Sequence, residues 1–223
     1  DAASRAADAA QFARLGLLIV NLASIVALAL LGRKLLDWTT GFVAAAVFAA
    51  LSMDSSVLGL AAKAEHFVVL PMLLAMLLLV DHGRGGRWPG VVLAALLLGI
   101  AFLMKQHAVS FVAFGGLYLV VLTWANRRNA GAQPIANLLL FGVAALVPFA
   151  LTCLEVWHSG AFSPFWFWTF VYARDYVSMI PVSEGLALLA EQLLQMLLAA
   201  PLVWVLVVIG LTATGWCKPI RRA

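Results

Sequence analysis

Residues 88–125 read WPGVVLAALLLGIAFLM, then KQH, then AVSFVAFGGLYLVVLTWA: two long apolar runs, 89–104 and 108–125, separated only by Lys105, Gln106 and His107. The same pattern, long apolar runs between short polar breaks, recurs on both sides of this stretch. Across 223 residues the chain is 65% hydrophobic and 11% charged with a mean hydropathy of +1.04. A water-soluble domain of this length could not hide that much apolar surface in one core. The solvent for most of the chain is therefore lipid.

A helix needs about 20 predominantly apolar residues to cross a bilayer. Spans are expected at 15–36, 41–53 with an extension, 65–80, 88–104, 108–125, 134–154 and 201–216. The fold class is thus all-α, a polytopic transmembrane bundle of about seven spans with an outer, aromatic-rich interfacial segment. Residues 1–14 are expected to close an outer loop, 15–154 to form the bundle, 155–200 an outer interfacial loop and helix, and 201–223 the last span with a basic cytoplasmic tail. Within 41–80, Asp54, Lys63 and Glu65 divide two short apolar stretches. A hairpin of tilted or partly re-entrant helices fits them better than one long span.

Basic residues set the orientation. If the first span runs inward, the cytoplasmic turns hold Arg33, Lys34, Arg84, Arg87, Arg127, Arg128, Lys218, Arg221 and Arg222, nine of the 14 Lys and Arg residues. The outer side keeps Arg5, Arg14, Lys63, Lys105 and Arg174. This obeys the positive-inside bias. Only Asp37 and Asp81 among the acids fall inside, so the face with mixed charge, and any functional site, is expected to open outward. Scattered basic turns make no nucleic-acid face.

Cys153 and Cys217 fall at opposite ends of spans, about 30 Å apart, which predicts two free thiols and no zinc cluster. The chain begins at Asp1 with an alanine-rich stretch lacking signal-peptide order. An outward start requires an earlier span, so a fragment missing its beginning is expected.

Between Glu155 and Glu191 the residues Trp157, His158, Phe162, Phe165, Trp166, Phe167, Trp168, Phe170, Tyr172 and Tyr176 crowd together, followed in part by Arg174 and Asp175. Such rings form an interfacial belt at headgroup depth, or a lid or entry groove for an amphiphilic substrate, or both. Residues 186–200 then lie along the interface before Pro201 starts the last span.

Lys105 admits two readings. A lysine at a span's end snorkels to headgroups at little cost; the same ammonium, with Gln106 and His107 as further donors, suits the anionic head of a lipid-linked substrate. Lys63, Glu65 and His66 are either a polar loop or the rim of the bundle mouth, into which Glu65 and His66, at the start of a span, are drawn. No metal site is expected from the protein's own residues. His-Glu-x-x-His, Gly-x-Ser-x-Gly, phosphate-cradling glycine loops and EF-hand patterns are all missing, which leaves protease, hydrolase, ATPase and calcium-sensor readings without support. Gly115-Gly116 reads as helix packing.

Three stretches carry a family resemblance: Arg14-Leu15 into a span closing Leu31-Gly32-Arg33-Lys34-Leu35; Ala62-Lys63-Ala64-Glu65-His66-Phe67; and Leu98 to Lys105-Gln106. With the aromatic segment from Gly160 to Tyr176, the chain resembles bacterial multi-spanning glycosyltransferases related to the dolichyl-phosphate-mannose protein mannosyltransferases and the lipid A aminoarabinose transferase, members of glycosyltransferase family 39 and of the C-superfamily fold. The resemblance implies transfer of a sugar from a polyprenyl-phosphate or diphosphate carrier to a lipid, glycan or protein acceptor on the periplasmic face of a bacterial inner membrane. It also implies a catalytic aspartate in a first outer loop. Neither Asp1 nor Asp8 sits in a matching motif, so the catalytic residue is unassigned and the chain alone is expected to be inactive.

Under this reading Lys105 is the leading phosphate ligand, with His107 and Arg174 behind it, and Glu65 and His66 contact sugar or acceptor. A divalent cation is a candidate cofactor, and membrane lipid and the lipid-linked sugar are the partners. Two other classes stay open. A transporter or flippase should show an internal repeat and matched broken helices; no convincing repeat is found, and Pro71 and Pro148 interrupt spans without matching surroundings, which weakens that case. A noncatalytic assembly subunit would need no outward charged cluster.

Overall fold

Polar residues end the apolar helices where the sequence interrupts them. The computed structural model describes residues 2–53, 62–125 and 134–216, and every regular element among them is helical. In chain order these are α1 (Ala2–Leu35), α2 (Trp38–Met53), α3 (Ala64–Gly83), α4 (Trp88–Met104), a 3-10 turn (Gln106–Ala108), α5 (Val109–Ala125) and α6 (Pro134–His158). Then follow α7 (Phe162–Trp166), a π-helical turn (Phe167–Val171), α8 (Tyr172–Ser178), α9 (Val182–Ala199) and α10 (Pro201–Trp216). Asp1, Asp54, Arg127, Arg128, Cys217, Lys218, Arg221 and Arg222 lie outside the described residues. Two compact units emerge, Asp1–Ala150 and Leu151–Ala223.

In the first unit, α1 turns into α2 through Asp37, whose carboxylate accepts the Thr40 backbone N–H at 2.7 Å and so caps α2. The two helices then cross at glycine. A Cβ on Gly32 would lie 2.6 Å from the Gly41 Cα, a spacing that only bare backbone allows. α3 and α4 pair through small residues as well: Ala75, Ala94 and Ala95 are fully buried, with Leu79, Val91 and Leu98 around them. Leu119, Phe141, Ala144 and Ala145 complete this core from α5 and α6. Gly115 sits against Phe141, Leu79 and Leu98 inside it, which bears out the packing role expected of the glycine pair at this residue. Ser24 is fully buried and donates its hydroxyl to the Val20 carbonyl at 2.7 Å, so its proton is not stranded in the apolar interior.

The outside of the helices is as apolar as the inside. Leu22, Val43, Leu117 and Leu139 are each more than half exposed, a surface suited to lipid and not to water. Among the described residues, five helical stretches are long and apolar enough to cross a membrane: Asp8–Leu35, Ala64–Gly83, Gln106–Ala125, Ile135–His158 and Val182–Ala199. Helices α2, α4 and α10 are apolar but shorter, at 16, 17 and 16 residues. Length therefore does not select the expected seven spans. It adds α9, which the sequence reading laid along the interface.

Three further features differ from the sequence reading. Residues 2–14, expected to close an outer loop, are helical and form the first turns of α1, because alanine is the strongest helix former and nothing there breaks the helix. At 34 residues α1 is about 50 Å long, more than the ~30 Å hydrocarbon core. Pro71 and Pro148 lie inside continuous helices instead of interrupting them. The aromatic segment is helical almost throughout.

In the second unit the aromatic residues align along consecutive turns. Trp157 meets Phe162 at 5.4 Å between centroids, Phe162 stacks on Trp166 at 5.9 Å, and Trp166 meets Phe170 at 4.5 Å. A second row runs from Trp168 through Tyr172 to Tyr176. The π-helical turn carries Phe170 of the first row and Trp168 of the second, and such irregularities are frequent at functional sites. Cys153 carries a free thiol.

Candidate functional site

The first turn of α3 and the last of α4 bring together two of the residues singled out by sequence. Lys63, in extended conformation, precedes α3 and offers no side-chain cap, and its carbonyl accepts the His66 N–H at 3.1 Å. Glu65 thus stands in the first turn, where a negative charge complements the helix dipole. At the end of α4 the backbone leaves the helix at Lys105 (φ −156°, ψ 130°) while its N–H still returns to the Ala101 carbonyl at 3.1 Å. The Lys105 carbonyl then accepts from Ala108 at 3.0 Å, closing the 3-10 turn that carries Gln106 and His107. This tight turn reverses the chain into α5.

Across 40 residues of sequence, the Lys105 Nζ donates to Glu65 Oε1 at 2.5 Å. Both side chains remain nearly half exposed, at 44% and 45%. Within one turn of them along the chain Val68, Ala101 and Ala108 are buried, with Phe111 packed alongside, which gives the pair an apolar floor. An ammonium has three donors and Glu65 engages one, which leaves Lys105 able to take a second anion. A half-exposed pair of this kind contributes little to stability. Its value is in holding one charge of each sign at a defined place.

His66 lies in the same first turn of α3, half-buried, and His107 is exposed on the turn after Lys105, whose far side is tied by Ser110 Oγ donating to the His107 carbonyl at 2.8 Å. Arg174 belongs to the second unit. There it is 77% exposed and pairs with its neighbour Asp175 at 3.2 Å. Sequence reasoning gave Lys105 and Glu65 separate roles and missed their pairing. The signal for it was present: α3 and α4 are antiparallel neighbours joined by a short turn, so the start of one and the end of the other meet at the same end of the bundle.

The opposite end of α3 carries a second charged junction. Lys34, at the end of α1, pairs with Asp81, and the Arg84 guanidinium donates to the Lys34 carbonyl. The residues assigned by charge bias to one side, Lys34, Asp81 and Arg84, thus meet at one end, and Glu65 and Lys105 meet at the other. Among the described residues no three His, Cys, Asp or Glu side chains converge in a way that could hold a metal ion.

Comparison with curated proteins and with solved structures returns no match. A family model described as dolichyl-phosphate-mannose-protein mannosyltransferase matches residues 6–153, two thirds of the chain, including Glu65, His66, Lys105 and His107. The polytopic helices, with their lipid-suited surface, and this match agree: the chain is a multi-pass membrane protein and belongs to the dolichyl-phosphate-mannose-protein mannosyltransferase family.

Proposed function

We propose that the chain is part of an integral-membrane glycosyltransferase that moves a sugar from a polyprenyl-phosphate carrier to a lipid, glycan or protein acceptor at the outer, periplasmic face of a bacterial inner membrane. The observation that carries this reading is the Lys105–Glu65 pair, half exposed on an apolar floor at one end of a family-matched bundle. In the reaction an acceptor hydroxyl or amine forms the new bond to the sugar's anomeric carbon and its proton passes to a carboxylate base. The bond from that carbon to the phosphate oxygen breaks, and the polyprenyl phosphate departs with the electron pair. The charge that develops on the phosphate needs a fixed cation beside it.

Lys105 supplies that cation, and Glu65 holds it in place until the phosphate arrives. His107, on the same turn, adds a donor at the phosphate edge, and Glu65 and His66 face the sugar or acceptor. The base is not among these residues, and a divalent cation, for which the described residues offer no cluster of three ligands, would add positive charge beside the phosphate. The test follows label from a polyprenyl-phosphate sugar into products with membranes containing the intact enzyme, with and without chelator. Lys105→Ala is expected to lower turnover about 10²–10³-fold at unchanged membrane insertion. Wild-type turnover in that variant removes Lys105 from the site.

A further inference from the structure

The junction at the far end of α3 has more cationic character than the fold uses. α1 ends at Leu35, and the last carbonyls of any helix lack partners within it. One of these, Lys34 C=O, is met by the Arg84 guanidinium, and the Lys34 ammonium is met by Asp81. Arg33 lies 4.2 Å above the Trp38 ring, and Asp37 is occupied in capping α2. The turn that delivers Arg84 is closed by Gly86 N–H to Asp81 C=O at 2.9 Å and by Gly85 at φ 95°. Arg84 is therefore positioned by backbone, not by chance.

Charge at this corner does not balance. Arg33, Lys34 and Arg84 stand against Asp37 and Asp81, and Arg87 follows on the same turn with an exposed side chain. A guanidinium has five N–H donors, and Arg84 spends one on the carbonyl. Around the charges Leu35, Leu36, Trp38 and Trp88 are 42–59% exposed, the mixture of rings, aliphatic surface and cations that sits at headgroup depth. Basic pockets between spanning helices bind anionic headgroups.

We propose that the junction of α1, α2 and α3 binds the phosphate of an anionic phospholipid, with Arg33 and Arg84 as its fixed ligands and Arg87 at its rim. The excess positive charge selects an anionic headgroup over a zwitterionic one. The apolar helix surface beside it takes the acyl chains, which free phosphate lacks.

The intact protein, purified in detergent, is titrated with dioleoylphosphatidylglycerol, dioleoylphosphatidylcholine or inorganic phosphate while thermal unfolding and bound lipid are measured. Phosphatidylglycerol is expected to raise the unfolding temperature and to be retained, and the other two are not. Arg33→Gln/Arg87→Gln, which leaves the helix-end contact of Arg84 intact, is expected to weaken phosphatidylglycerol binding about 5-fold for each charge removed, and Arg84→Gln by a similar factor. Arg14→Gln removes a charge elsewhere and is expected to keep full binding. Equal effects of the two lipids, an equal effect of inorganic phosphate, or undiminished preference in Arg33→Gln/Arg87→Gln overturns the proposal; should Arg84→Gln fail to fold, the double variant alone decides.

Discussion

Lys105 and Glu65, 40 residues apart, share a hydrogen bond of 2.5 Å that ties the end of α4 to the beginning of α3. The contact joins two half-exposed charges on a floor of buried side chains, so its geometry is set by helix packing and not by the strength of the pair itself. Removing either partner tests whether the other depends on it.

A double-mutant cycle on transfer activity is the first prediction. Glu65→Gln keeps a hydrogen-bond acceptor for Lys105 and is expected to lower kcat/KM by up to about 10-fold, much less than Lys105→Ala. If Glu65 acts through Lys105, the double variant is no worse than Lys105→Ala alone. Fully additive losses, measured as kcat/KM in membranes, would show that the two residues serve separate steps.

Gly99 and Gly142 should respond to the same substitution with opposite signs. A Cβ on Gly99 would meet the Pro148 ring at 2.9 Å and press on the Ala145 carbonyl, whereas a Cβ on Gly142 meets nothing within 4 Å. Gly99→Ala is expected to destabilise the first unit by about 1–3 kcal/mol through overpacking. Gly142→Ala, in a helix interior with open space beside it, is expected to stabilise by about 0.5–1 kcal/mol. Thermal unfolding in detergent measures both, and a destabilised Gly142→Ala contradicts the packing described for α6.

At the other end of the bundle, Asp81→Asn removes one partner of Lys34. The side chains are 32% and 48% exposed, so the loss is expected to be below about 1 kcal/mol. An unfolding temperature lowered as far as in Gly99→Ala would mean that this junction holds the helices together more firmly than its exposure implies.

Asp37 carries a pH dependence of known sign. The Thr40 backbone N–H donates to its carboxylate and, with the Thr40 side chain, holds its pKa below the ordinary 3.8. A depressed carboxyl contributes its stability above the unfolded-state pKa and loses it as pH falls through the lower folded value. Wild-type protein is thus expected to exceed Asp37→Asn in stability by a constant margin from pH 5 to 8, because asparagine caps without charge. That margin should shrink below about pH 4. A margin that vanishes near neutrality would point to another group.

Much of the fold was legible from the chain itself because helices in lipid are dictated locally. With no water to satisfy the backbone, an apolar run must bond within itself, so the runs 89–104 and 108–125 could become little else than α4 and α5. The breaks were equally local: Asp37 caps α2, and Lys105 leaves the helix where the apolar run stops. Even the grouping of Lys34 with Asp81 and Arg84 followed from the charge bias of the turns.

Where the reading departed from the structure, the deciding forces were cooperative or long-range. Alanine-rich residues 2–14 carry only a weak, charge-interrupted apolar signal, yet they extend α1 because a helix already nucleated propagates through good helix formers. Pro71 and Pro148 break periodicity on paper but are absorbed by their helices, and Pro148 finds its place against Gly99 only once α4 and α6 pack. Composition, helix content and the identity of the charged residues were determined by sequence alone. Which carboxylate meets Lys105, which carbonyl holds Arg84, and which glycines let backbones touch were decided by tertiary packing, since side-chain partners tens of residues apart are chosen by the register of neighbouring helices and not by any local rule.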